Sequence, residues 1–191
     1  MIGNGRCSAV AMSHFLLKQK VRPGDRVADA TCGNGHDTLL LAQLVGPGGR
    51  VWGFDIQPRA LDATRQLLSA HNCLERVELL EVGHERIGDA VPEPLDAVIF
   101  NLGYLPGGDK RIISRPDTTG KALSSAAEML LPGGLLLAVV YTGHAGGAEE
   151  GAVVERWAAD LPAESCCVWS CRQPNRHARA PWLLVVEKGT G

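Results

Sequence analysis

The chain has 191 residues, 45% hydrophobic and 21% charged, with a formal net charge of −2. That length suits one domain spanning residues 1–191, large enough to bury a core without metal or disulfides. The composition excludes collagen, coiled coil and disorder, and the charge excludes a generally basic nucleic-acid coat.

A first helix is expected from Ala9 to Lys20, closed by Pro23-Gly24-Asp25. The first strand runs from Arg26 to Ala30, and a helix follows from His36 to Val45. The second strand is Arg50 to Asp55. Pro58 opens the next helix, which reaches Ala70, because a proline in the first turn loses no hydrogen bond. The third strand is Val77 to Val82 and the fourth Leu95 to Leu102, the latter apolar on both faces as a central parallel strand should be. A long loop from Gly103 to Thr118 is of the kind that is either functional or disordered. A helix from Thr119 to Leu131 should stop at Pro132-Gly133-Gly134, before a fifth strand at Leu135 to Tyr141. The last helix, Ala148 to Leu161, should bury Val153, Trp157 and Leu161 on one face. Ser165 to Arg172 and Trp182 to Lys188 read as a hairpin with a long connection.

Such alternation calls for a doubly wound α/β fold, a mostly parallel sheet with helices on both faces. Ligands in these sheets bind beyond the carboxyl ends of the strands. No apolar run approaches the roughly 20 residues of a membrane span, and the N-terminus has no apolar signal core. The expected location is the cytoplasm, with no membrane partner. The six cysteines (7, 32, 73, 166, 167 and 171) form no C-x-x-C pair, so no metal site is expected and the thiols should pack reduced, as small hydrophobes.

The strand ends carry the chemistry. After the first strand, Gly33 and Gly35 let the backbone approach a ligand, but Thr38 stands where a dinucleotide fingerprint needs glycine. Asp55, ending the second strand 22 residues past Gly33, can accept both hydroxyls of a ribose. The combination fits S-adenosylmethionine at least as well as NAD. His84 follows the third strand, where an adenine edge would lie. Asn101 to Asp109 after the fourth strand resembles the [D/N]-P-P-[Y/F/W] loop of amino-group methyltransferases, with Leu102-Gly103 in place of the prolines. An amide oxygen there can accept amine N–H hydrogens and aim the nitrogen lone pair, and the Tyr104 ring can stack on a base or cradle a cation. Tyr141 and His144 follow the fifth strand and should point into the same crevice. Lys110, Arg111 and Arg115, with Arg172, Arg176 and Arg179, make a patch able to hold phosphates.

These stretches together resemble the YtqB-like methyltransferases, long labelled rRNA methylases. The residues that carry the likeness are Asp29-Ala30-Thr31, Gly33-Asn34-Gly35-His36-Asp37-Thr38, Phe54-Asp55-Ile56-Gln57, Phe100 to Lys110, and Tyr141-x-Gly143-His144. The resemblance implies a Rossmann-like class I fold, a seven-stranded sheet whose last strand is antiparallel. It implies S-adenosylmethionine as cofactor, bound by the matching positions of the first, second and third strand ends together with Asn101 and Gly103. It also implies methylation of the aminomethyl group on wobble uridine 34 of tRNA, with Asn101 and Tyr104 orienting the amine. An aliphatic ammonium has a pKa of about 10 and must lose a proton to attack, which calls for a base or a desolvated pocket; Tyr141 and His144 are the candidates for accepting or relaying that proton. The basic patch would then hold anticodon stem-loop phosphates. With no separate RNA-binding domain, a homodimer would extend the RNA surface. The rival readings are methylation of rRNA or a small amine, and an inactive RNA-binding module. The chain departs from the family at Gly83 and at Gln173-Pro174-Asn175 and Ala180-Pro181.

Overall fold

The computed structural model describes residues 8–103 and 114–190. Helix α1 (Ala9–Lys20) starts at Ser8, whose hydroxyl accepts the Ala11 N–H at 3.0 Å, and ends with Lys18 and Lys20 against the negative end of its dipole. Strand β1 (Arg26–Asp29), helix α2 (His36–Val45) and strand β2 (Arg50–Phe54) follow. Helix α3 (Pro58–Ala70), strand β3 (Val77–Leu80), a 3-10 turn (His84–Arg86) and the short helix α4 (Ile87–Ala90) come next. The remainder is β4 (Leu95–Leu102), α5 (Pro116–Met129), β5 (Leu130–Val140), α6 (Gly147–Ala159), β6 (Cys166–Cys171) and β7 (Trp182–Lys188).

The seven strands form one sheet in the order β3-β2-β1-β4-β5-β7-β6. Only β7 runs against the rest; it lies between β5 and β6 and pairs antiparallel with both. The expected hairpin therefore forms and completes the sheet at one end, with β6 as the edge strand. Each face carries its own core. Leu17, Leu41, Val45 and Leu68 from α1, α2 and α3 cover one side, against Val27, Ile99 and Leu137. Ile87, Leu123, Val154 and Ala158 from α4, α5 and α6 cover the other, against Trp52, Phe100 and Leu184. Ala97, Val98, Ile99 and Phe100 are fully buried, as a central strand flanked on both faces requires.

Three expectations are corrected. Helix α5 begins at Pro116, not Thr119, using the same first-turn proline as α3. It yields to strand at Leu130, because Leu95 pairs with Leu130 before the register shifts and Ala97 pairs with Leu135; the Pro132-Gly133-Gly134 turn becomes an irregularity within β5. Helix α6 buries Gly147, Glu150, Gly151, Val154 and Ala158, leaving Val153, Trp157 and Leu161 only half-buried at its flank. Small residues let it lie close: a Cβ on Gly151 would sit 2.9 Å from the Thr142 methyl. The thiols also divide. Cys32 and Cys73 are buried, whereas Cys167 and Cys171 are exposed on the edge strand β6. Among the described residues no helix is long and apolar enough to cross a membrane.

Candidate active site

A cleft of about 930 Å³ opens at the carboxyl ends of β1, β2, β3, β4 and β5. Its floor is the turn between β1 and α2. Asp29, at the end of β1, is fully buried and braces that turn: one carboxylate oxygen accepts the Thr31 N–H at 3.1 Å, the other the Thr38 hydroxyl at 2.6 Å. Burial, and then the charge of Asp37, push the Asp29 carboxyl up to about 7. Gly35 takes φ +81° at the mouth of α2, and a Cβ there would lie 2.8 Å from the Thr64 Cα. Only glycine meets both demands.

Asp55 stands across the floor, half-buried. Its oxygens accept the backbone N–H groups of Gly33 and Gln57, each at 2.9 Å, and burial raises its carboxyl. Each carboxylate oxygen keeps a further lone pair for a ligand hydroxyl. Ile56 and Val82, two of the few exposed large apolar side chains, lie on the cleft wall. His84 is 9% exposed, edge-on to Phe100, and its buried Nε2 has no hydrogen-bond partner among the described residues. Burial lowers its pKa, so the ring is neutral at pH 7. An apolar slot, an acceptor for vicinal hydroxyls and an unpaired buried imidazole nitrogen fit an adenosine group.

Asn101 occupies the centre. Its N–H donates to the Thr31 hydroxyl at 2.7 Å, and its side-chain Nδ2 donates to Asp37 Oδ2 at 2.5 Å. Asp37 Oδ1 lies 2.6 Å from His14 Nε2. Tyr141 completes that wall, and a Cβ on Gly103 would touch its ring. Burial, and then the Asp37 charge, raise the Tyr141 phenol, so it remains protonated at neutral pH.

On the far rim, Gly103 and Ser114 are joined by a backbone hydrogen bond of 2.9 Å, Ser114 N–H to Gly103 oxygen. Beneath them Glu150, fully buried, accepts the Ser114 hydroxyl at 2.8 Å and the Thr119 hydroxyl at 2.6 Å. Burial raises its carboxyl.

Of the residues expected from sequence, Thr31, Gly33, Asn34, His36, Asp37, Asp55, Ile56, Gln57, His84, Asn101, Gly103, Arg115 and Tyr141 line the cleft. Asp29, Gly35 and Thr38 do not; they lie beneath the turn and shape it. His144 is not on the cleft wall either. The chain turns at Gly143, and the His144 Nδ1 sits 2.9 Å from the Ala145 oxygen. Arg172 is committed to Glu155 and stacks 4.2 Å over the Trp182 ring, so it braces the hairpin. Arg176 and Arg179 are exposed in the β6–β7 connection; the Arg179 oxygen lies 3.7 Å from a Cβ placed on Gly143, which puts this connection beside the β5 end of the cleft. Tyr104, Lys110 and Arg111 lie outside the described residues. His14, Ser114 and Glu150 had no sequence signal beyond their polarity.

Residues 51–187 match the family described as "Putative rRNA methylase". A protein of Arabidopsis thaliana named "tRNA (mnm(5)s(2)U34)-methyltransferase, chloroplastic" is 45% identical over 96% of this chain and 70% of its own length. A protein of Clostridium thermocellum described as a "putative rRNA-methylase" superposes with a TM-score of 0.93 at 42% identity, covering 95% of this chain and 98% of that one. A "putative methyltransferase" from Streptococcus mutans, in complex with SAH, superposes with a TM-score of 0.87 at 35% identity, with the same coverages.

Proposed function

Because the chain belongs to this rRNA methylase family of S-adenosylmethionine-dependent methyltransferases, we propose that it methylates the aminomethyl nitrogen of 5-aminomethyl-(2-thio)uridine at tRNA position 34. The observation that carries the reading is the Asn101 amide, set on the cleft wall with its nitrogen held by Asp37. That leaves a carbonyl oxygen as an acceptor for an amine N–H. The Arabidopsis protein's name supports the substrate.

S-adenosylmethionine, when bound, supplies an electrophilic methyl group on a positively charged sulfur. Asp55 would hold the ribose hydroxyls, and Ile56, Val82 and His84 would line the adenine pocket. Gly33 and Asn34, which line the same cleft, would hold the remainder. For the amine, the described cleft offers an oxygen acceptor at Asn101 and a protonated phenol at Tyr141. The negative charge of Asp37 favours approach of the ammonium form; the lone pair becomes available once a proton passes to solvent water in the open cleft. Positioning supplies most of the barrier reduction in such a transfer. Arg115, Arg176 and Arg179 stand where anticodon phosphates would rest, and a cytoplasmic location suits that substrate.

Mass spectrometry of nucleosides tests this. The purified protein is incubated with S-adenosylmethionine and tRNA carrying 5-aminomethyl-2-thiouridine. One methyl gained on that nucleoside is the expected result. No gain, with cofactor binding verified by calorimetry, refutes the substrate and leaves rRNA or a small amine.

A further inference from the structure

Asn101 can help an amine only if its amide points the right way round. A primary amide has two nearly isosteric ends, a donor and an acceptor, and nothing about a strand terminus chooses between them. Here the choice is imposed. Asp37 sits in the first turn of α2, where the helix dipole favours a negative side chain, and only 7% of the residue is exposed. An ionised carboxylate only accepts, so the amide must turn Nδ2 towards it. The other Asp37 oxygen is held at 2.6 Å by His14 Nε2, reaching across from α1. The His14 side chain is 30% exposed and lines the same cleft. One carboxylate thus ties three elements together: α1 through His14, α2 through its own backbone, and β4 through Asn101.

We propose that His14 and Asp37 are a positioning pair that locks the Asn101 amide with its carbonyl oxygen towards the cleft, where it receives an N–H of the substrate amine. The proposal rests on the amine-methylation reading for its purpose, but the lock itself is a property of the free protein. Asp37 supplies the acceptor; His14 supplies the donor that stops Asp37 from swinging to another rotamer. The pair touches neither reacting atom. Asp37 thereby has a task distinct from cofactor contact, and His14 has a role.

Two readouts separate the ideas. The first is NMR of the free protein, using the Asn101 side-chain amide signal, assigned by its absence in Asn101→Ala. In the wild type one of its protons should be shifted downfield and protected from exchange. In Asp37→Ala it should move to the range of exposed amides, and Asp37→Asn, which keeps an oxygen acceptor, should fall between. The second is kinetics on the tRNA substrate. His14→Ala should lower kcat by about tenfold, equal to about 1.4 kcal/mol, with the SAH Kd unchanged. His14→Gln, whose amide can donate from nearly the same place, should recover most of it. An Asn101 signal indifferent to Asp37→Ala overturns the lock. So does an SAH Kd that weakens in parallel with kcat, since Asp37 and His14 would then serve the cofactor. If the wild type methylates no such tRNA, the substrate reading falls, and the NMR result still decides the lock.

Discussion

Glu150 is a fully buried carboxyl that accepts two hydroxyls, those of Ser114 and Thr119. Replacing it with alanine removes both acceptors at once. Thr119 is fully buried and would keep an unpaired hydroxyl, at about 1–3 kcal/mol. Ser114 is half-buried, and its hydroxyl can turn to the Gly103 oxygen at 3.4 Å, so its loss is smaller, about 0.5–1 kcal/mol. The one missing methylene adds a void, at about 0.8 kcal/mol. Relief of the buried acid offsets part of this, leaving a net loss of about 2–3 kcal/mol. At about 2–4 °C per kcal/mol for a chain of this size, Tm should fall by about 4–12 °C.

Glu150→Gln sharpens the test through its sign. The folded state raises the Glu150 carboxyl, so between the ordinary carboxylate value and the raised one the folded protein holds more protons than the unfolded chain. Its contribution to stability is therefore greatest below the ordinary value and is lost as pH rises through the folded one. Glutamine does not titrate. Calorimetric Tm values at about pH 5 and about pH 8 should move in favour of the glutamine variant as pH rises, with the Asp29 contribution cancelling in the difference. A wild-type minus variant difference that is the same at both ends would refute the argument.

Gly35→Ala meets two penalties, a left-handed backbone at about 1–2 kcal/mol and a Cβ 2.8 Å from the Thr64 Cα; Gly24→Ala, at φ +94° with nothing within 4 Å, meets only the first. Urea denaturation should rank Gly35→Ala as clearly the more destabilised, and equal losses would count against the clash. Asp55→Ala should weaken SAH by about 10–100-fold in titration calorimetry, because one carboxylate faces two hydroxyls; an unchanged Kd would place the ribose elsewhere. Arg176→Ala with Arg179→Ala should weaken tRNA binding and reduce the salt slope by roughly one for each phosphate no longer neutralised. A slope that stays put would move the RNA to another face.

Where the chain carries its own punctuation, sequence and structure agree. The bounds of α1, α2, α3, β4 and β7 follow from local caps, prolines and apolar runs. The strand ends likewise announced Asp55, His84 and Asn101, because the doubly wound architecture gives those positions a meaning before any contact is known. The misses share a cause, which is partners distant in sequence. Leu130 is a strand residue because Leu95 pairs with it, and no turn signal at Pro132-Gly133-Gly134 reveals that. The buried face of α6 was hidden because closeness to β5 selected glycines, and apolar periodicity cannot count a glycine. His14 was illegible for the same reason. Its importance lies in reaching Asp37, 23 positions away on another helix.

The placement of β7 has a consequence for biogenesis. Strand β5 is complete at Val140, yet the neighbour that covers its open edge is Trp182–Lys188, and β6 reaches the sheet only through that same strand. During synthesis the chain must therefore hold Leu135–Val140 with one row of backbone donors and acceptors unpaired while some forty further residues emerge. Closure of the sheet is a late event, the addition of β7 and with it β6 to the edge of β5, and a chain stopped short of Trp182 has an adhesive edge where the finished molecule has an interior.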